Sequence, residues 1–170
     1  SGIPELRQAI ADTFKHDNGL AYKPSQIIVS CGGKHSCYNV ILATCQEGDE
    51  VIIPAPYWVS YPPMVELAGA TPVLVETHEE EDYQLTAEMI EQHLSPKTKG
   101  IVLNYPSNPV GSVFYRENLE NIGKLAVKHN IYLISDEIYD KLAYDDYTHT
   151  SIASLGHPIK ELTIITHAVS

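Results

Sequence analysis

Ile131 to Asp140 reads IYLISDEIYD. Its first five residues are an almost unbroken apolar run, and its continuation is acidic, with Asp136, Glu137 and then Asp140. A short run of this kind suits a strand covered on both faces, as in a parallel sheet, rather than a strand alternating between core and water. Runs of the same character lie on either side of it. QIIVS (26–30), EVIIP (50–54), TPVLVE (71–76), GIVLNY (100–105) and LTIIT (162–166) all read as strands. Between them lie stretches with apolar residues at helical intervals. Leu6, Ile10 and Phe14 follow Pro4, which suits a first helical turn. Tyr38, Ile41, Leu42 and Cys45 mark a second helix, and the stretches Trp58–Ala68, Thr86–Leu94 and Arg116–His129 mark three more. Strands alternating with helices predict an α/β fold of three layers, a mostly parallel sheet with helices on both faces.

Length and composition agree with this. The 170 residues are 44% hydrophobic, enough for one domain with a substantial core. The formal charge is −11, from 22 acids against 11 bases, and no window gathers Lys and Arg. Phosphate backbones and anionic lipid would be repelled, so nucleic acid and membrane surfaces are poor partners and a small molecule is the better expectation. The acidic run Glu79–Asp82 reads as a solvated turn. Cys31, Cys37 and Cys45 have neither zinc-site spacing nor the even count of a disulfide framework, and no metal site is expected. With no signal peptide and no apolar run of about 18 residues, the cytoplasm is the expected location. The chain opens at a helix start and closes on an apolar strand, so both ends read as cut.

In open parallel sheets ligands gather beyond the carboxyl ends of the strands. There the sequence reads CGGKHS, PAPYW, NYPSNPVG, SDEIYD and THAVS. Gly32 and Gly33 open a helix whose amino terminus suits a phosphate, although a Gly-Gly pair is also an ordinary tight turn. Tyr57 and Trp58 offer flat faces that could cover a planar ring or simply pack at the rim. Asn108, before Pro109 and Gly111, is either a polar contact or a turn residue. Asp136 at the mouth of a low-dielectric sheet suits a cationic partner such as a pyridinium nitrogen, or else caps a turn. Tyr139 lies three residues on. Taken together, these residue types describe a site for a phosphorylated aromatic cofactor.

GGKHSCYNVILATCQEGDEVIIPAPYWVSYP, NYPSNPVGSVF and SDEIYDKLAYD resemble the class I pyridoxal-phosphate aminotransferases of fold type I, in particular the bacterial aspartate/prephenate aminotransferase branch. The resemblance runs from Gly2 to Ser170. It implies that residues 1–170 are part of the large, pyridoxal 5'-phosphate-binding domain, without the amino-terminal arm and the carboxyl-terminal small domain. Gly33 and Lys34 would then hold the phosphate and Trp58 would stack on the ring. Asn108 and Tyr139 would bond the ring's phenolic oxygen, and Asp136 would pair with the ring nitrogen, making Asp136 and Tyr139 the catalytic residues present. An amino acid, aspartate or similar, and a 2-oxo acid would be the substrates, and the full-length protein would be a homodimer.

Three features depart from the family pattern. Val110 stands where the family usually has Thr, and His167 and Ala168 replace a common Asn-Gly. The family's Schiff-base lysine would directly follow Ser170, so the 170 residues alone are expected to be inactive. Of 11 basic residues two are arginines, and none of the nine remaining lysines is an evident substitute; Lys34 lies on the phosphate turn and Lys141 after the acidic loop. Arg7 and Arg116 are expected on helix surfaces, away from a substrate carboxylate. Two other activities share such a domain, a pyridoxal-phosphate carbon–sulfur lyase and the cofactor-sensing domain of a transcription regulator. Small-domain residues would distinguish the first, and an upstream winged-helix segment the second.

Overall fold

Each apolar run must satisfy its backbone along two edges and cover two faces, and a central parallel strand does both. The computed structural model describes residues 1–145 and 147–168. Its strands are β1 (Glu50–Ala55), β2 (Thr71–Glu76), β3 (Thr98–Asn104), β4 (Tyr132–Asp136) and β5 (Thr163–Thr166). They form one sheet in the order β2-β1-β3-β4-β5, with every pairing parallel. The helices are α1 (Pro4–Asn18), α2 (Gly33–Thr44), α3 (Tyr61–Leu67), α4 (Ala87–Glu91), α5 (Arg116–His129) and α6 (His157–Leu162).

Side chains alternate across the sheet, and each face has its own core. Ile52, Ile101, Leu103 and Leu133 pack with Ile90 of α4, Leu119, Ile122 and Ala126 of α5, and Ile159 of α6. Val51, Ile53, Val102 and Ile134 pack on the other face with Cys37 and Ile41 of α2 and with Tyr61, Met64 and Val65 of α3. The three expected layers are therefore present. Helix α5 has the bounds that its periodicity predicts, burying Leu119, Ile122, Leu125 and Ala126, and it stops at Asn130 in the left-handed conformation. Gly123 lets α6 approach closely, since a Cβ there would lie 2.5 Å from Ile159 Cδ1.

Three expectations about elements change. QIIVS is not a strand of the sheet: Pro24–Gln26 is a turn of 3₁₀ helix and the next residues extend without a strand partner, Val29 N–H meeting only the Ser1 carbonyl at 3.3 Å. Strand character is a property of pairs, so β-branched residues alone do not confer it. Helix α6 arises where no helix was expected, a six-residue element started by Pro158 and anchored by Ile159. Arg7 is not on the surface; it is half-buried, with Nη1 donating to the Pro24 carbonyl at 3.5 Å and Nε finding no acceptor among the described residues. Arg116 is exposed, as expected, and pairs with Glu120. The run Glu79–Asp82 is an exposed turn. No helix among the described residues is long and apolar enough to cross a membrane, and no cluster there could hold a metal ion.

The chain leaves β1 for β2 on one side, then returns to place β3 on the other. This reversal opens a crevice between the carboxyl ends of β1 and β3, the place where open α/β sheets accept ligands.

Candidate functional site

The crevice is lined by Ile53, Pro54 and Tyr57 from the end of β1, by Val102, Asn104, Asn108 and Val110 from β3 and its following loop, and by Tyr61 from α3. Asp136, the last residue of β4, pairs in register with Asn104 on one side and Thr166 on the other. Its side chain follows Ile134 onto the face occupied by α2 and α3. Tyr61 Oη donates to Asp136 Oδ2 at 2.6 Å, and the thiol of Cys37 donates to the same oxygen at 3.5 Å. Cys37 also meets Thr166 Oγ1 at 3.4 Å. Among the described residues Oδ1 accepts no hydrogen bond, although the residue is only 6% exposed.

Burial, then the neighbouring Asp136 charge, pushes the Cys37 thiol up to about 12. The same two causes hold the Tyr61 phenol far above its ordinary value. Both groups therefore keep their protons at neutral pH and act as donors to Asp136.

The backbone beneath is held as firmly. Asn104 Nδ2 donates to the Asp136 carbonyl at 3.1 Å, and Asn104 Oδ1 accepts from the Asn108 N–H at 2.8 Å. One amide thereby ties the SNPVG loop to the end of β4, placing half-buried Asn108 on the crevice wall. Trp58 packs edge-on against Tyr61, with centroids 5.4 Å apart and planes at 87°. Lys34, in the first turn of α2, lays its ammonium 5.0 Å from the centre of the Trp58 ring.

Gly32 precedes α2 with φ 92°, a conformation natural to glycine. A Cβ on Gly33 would lie 3.3 Å from Ile138 Cδ1, so the start of α2 abuts the turn that follows β4. The first chain bond of this helix is made by Ser36, whose N–H reaches the Gly32 carbonyl. The N–H groups of Gly33, Lys34 and His35 find no backbone acceptor among the described residues, and the helix dipole adds to their attraction for an anion. Tyr139 lies on the turn after β4, half-buried.

Gly33, Lys34, Trp58, Asn108, Asp136 and Tyr139 therefore all lie at or beyond the carboxyl ends of the strands, on one end of the sheet. Val110 is on the crevice wall and 36% exposed. His167 turns elsewhere, its Nε2 3.1 Å from Asp140 Oδ1 and its ring edge-on to Phe14. Ala168 faces Gly33. The position after Ser170, assigned to a lysine by resemblance, lies outside the described residues. Sequence reasoning missed Tyr61, Cys37, Asn104 and Thr166. Trp58 and Tyr61 are three residues apart and so suit one side of a helical turn, but nothing local ties either to Asp136. Cys37, read as a small apolar residue, is also a donor.

The family model for aminotransferase class I and II matches residues 1–170. Over 99% of its length the chain is 50% identical to an aspartate aminotransferase of Bacillus sp. (strain YM-2) and 44% identical to an aspartate/prephenate aminotransferase of Cereibacter sphaeroides. It spans 43% and 42% of the lengths of those relatives. Among solved structures, the aspartate aminotransferase from Thermus thermophilus with maleate superposes with a TM-score of 0.95 at 43% identity, over 99% of this chain and 43% of that one.

Proposed function

The chain belongs to the class I and II aminotransferases, and on that premise we propose that it supplies the pyridoxal 5'-phosphate site of an enzyme moving an amino group between aspartate, or a similar amino acid, and a 2-oxo acid. Residues 1–170 are on this reading a portion of the large domain. An amino-terminal arm, a small domain and a second subunit complete the enzyme, which works as a homodimer in the cytoplasm.

One observation carries the reading. Behind Tyr61 and Asn104 of the switch-point crevice, a nearly buried carboxylate has one oxygen engaged by two donors while the other accepts nothing from the described chain. A buried anion half-satisfied in this way calls for a cationic partner. A protonated pyridine nitrogen fits Asp136 Oδ1. The anion-seeking N–H groups of Gly33 and Lys34 suit a phosphate, and Lys34 adds its positive charge. Trp58 would cover the ring, with Asn108 and Tyr139 as donors to its phenolic oxygen. When bound, the protonated ring supplies an electron sink as the substrate loses its α-proton. The chain's own part is to keep the ring nitrogen protonated through Asp136, whose burial makes its attraction for a positive charge strong.

The test takes the chain extended to the length of its relatives, loads pyridoxal phosphate, and follows the cofactor spectrum beside amino transfer from aspartate to 2-oxoglutarate. Stoichiometric binding with turnover supports the reading. Absence of both in a folded protein overturns it.

A further inference from the structure

The cofactor reading assigns Asp136 a task but leaves open what keeps its carboxylate in position. We propose that Tyr61 is the positioning residue for Asp136: by bonding Oδ2 it orients the carboxylate so that Oδ1 is presented to the ring nitrogen, with Cys37 as a weaker second donor to the same oxygen. This inference rests on the cofactor reading.

Tyr61 is the first residue of α3, 75 positions before Asp136, and it is 2% exposed. A phenol at 2.6 Å from a carboxylate oxygen is at charge-assisted distance, stronger and more directional than a neutral hydrogen bond. A carboxylate that takes both donors on one oxygen can rotate only by breaking them. The Asp136 backbone carbonyl is fixed independently by Asn104 Nδ2 and the Tyr105 N–H, so the remaining freedom is the side-chain torsion that Tyr61 restrains. The ring of Tyr61 also receives Trp58 edge-on, and Trp58 carries Lys34 above it. One buried tyrosine thus connects the acid for the ring nitrogen, the cover for the ring face and the lysine of the phosphate turn. A phenol present only to satisfy itself would need none of these contacts beyond one acceptor.

The experiment uses pyridoxal phosphate labelled with ¹⁵N in the ring, bound to the enzyme at the length of its relatives. It compares wild type, Tyr61→Phe and Asp136→Asn by the ¹⁵N chemical shift and by the cofactor dissociation constant. Asp136→Asn is expected to move the shift to that of an unprotonated ring. Tyr61→Phe is expected to move it part of the way and to weaken cofactor binding about tenfold, the scale of a lost hydrogen bond to a charged group; kcat should fall with KM little changed. Wild-type shift and affinity in Tyr61→Phe, with Asp136→Asn altered, would overturn the role of Tyr61 and leave the cofactor reading intact. Wild-type behaviour in both variants would overturn the cofactor reading and this inference with it. Should Tyr61→Phe fail to fold, Cys37→Ala removes the second donor: a smaller shift in the same direction supports the positioning role, and an unmoved signal overturns it.

Discussion

Asp136 ends β4 and Glu137 directly follows it; both are nearly buried, and their side chains share no hydrogen-bond partner. Glu137 is fully engaged. Ser135 Oγ and Ser151 Oγ each donate to its Oε1 at 2.8 Å, and His149 Nε2 meets its Oε2 at 3.1 Å. The His149 ring stacks on Tyr105, with centroids 5.0 Å apart, and Tyr105 Oη accepts from the Ile152 N–H. Apart from the Ser135 bond, each of these contacts ties the segment around residues 149–152 to the sheet. Asp136 has one oxygen engaged and one without a partner in the described chain. Two buried acids of equal chemistry therefore differ in what they leave undone: satisfied acceptors on both oxygens make a strut, and an unspent oxygen makes a site.

The largest effect should come from breaking the strut. Glu137→Ala strands two serine hydroxyls and a buried imidazole, and is expected to cost about 3–5 kcal/mol of stability, read by urea unfolding. A loss within about 0.5 kcal/mol would show that Glu137 is not structural. Asp136→Asn should do the reverse, with stability changed by no more than about 1 kcal/mol, since its amide oxygen still accepts from Tyr61. Amino transfer should fall on the order of 10²–10³-fold, measured by steady-state kinetics in the extended protein. If Asp136→Asn unfolds the protein and Glu137→Ala spares it, the contrast between the two acids is inverted.

A finer probe is Val110→Thr on the crevice wall. Val110 is partly exposed, so the added hydroxyl stays hydrated, and stability should hold within about 0.5 kcal/mol. Cofactor affinity should be unchanged or tighter, because the family usually places a hydroxyl there; weaker binding in a spectral titration would show that the surrounding loop has adapted to valine. The smallest effect concerns thiols. Deprotonation charges a thiol, burial disfavours that charge, and the value rises to about 12 for Cys37, so at pH 8 the thiol stays protonated. Exposed Cys31 should be alkylated by iodoacetamide at pH 8, leaving Cys37 and Cys45 untouched by peptide mass analysis. Rapid labelling of Cys37 would mean that its proton is not held for Asp136.

Much of the site was legible because its residues occupy predictable places along the chain. Asp136 ends an apolar run, Gly33 begins a helix, and Trp58 and Asn108 follow strands, so each could be found from local pattern and the rule for strand ends. Tyr61 lies inside a short helix with nothing in its neighbours to distinguish it from a core aromatic. Asn104 is the last residue of a strand, and its role as a brace between the SNPVG loop and the end of β4 depends on what lies beside that strand. Glu137 was read only as the second acid of a pair. Its satisfaction by His149 and Ser151 crosses a loop whose path no local pattern specifies.

The amino-acid sequence by itself determined most of the element types, the bounds of α5, the parallel α/β class and the chemistry offered at the strand ends, since periodicity, turn residues and caps act over a few neighbours. Only the tertiary structure decided that residues 27–30 find no strand partner among the described residues, that Ile159 against Gly123 anchors α6, and that Tyr61 meets Asp136 across 75 residues. Pairing, close approach and the satisfaction of a buried carboxylate are relations between distant segments, and their energies exist only once the sheet has brought those segments together.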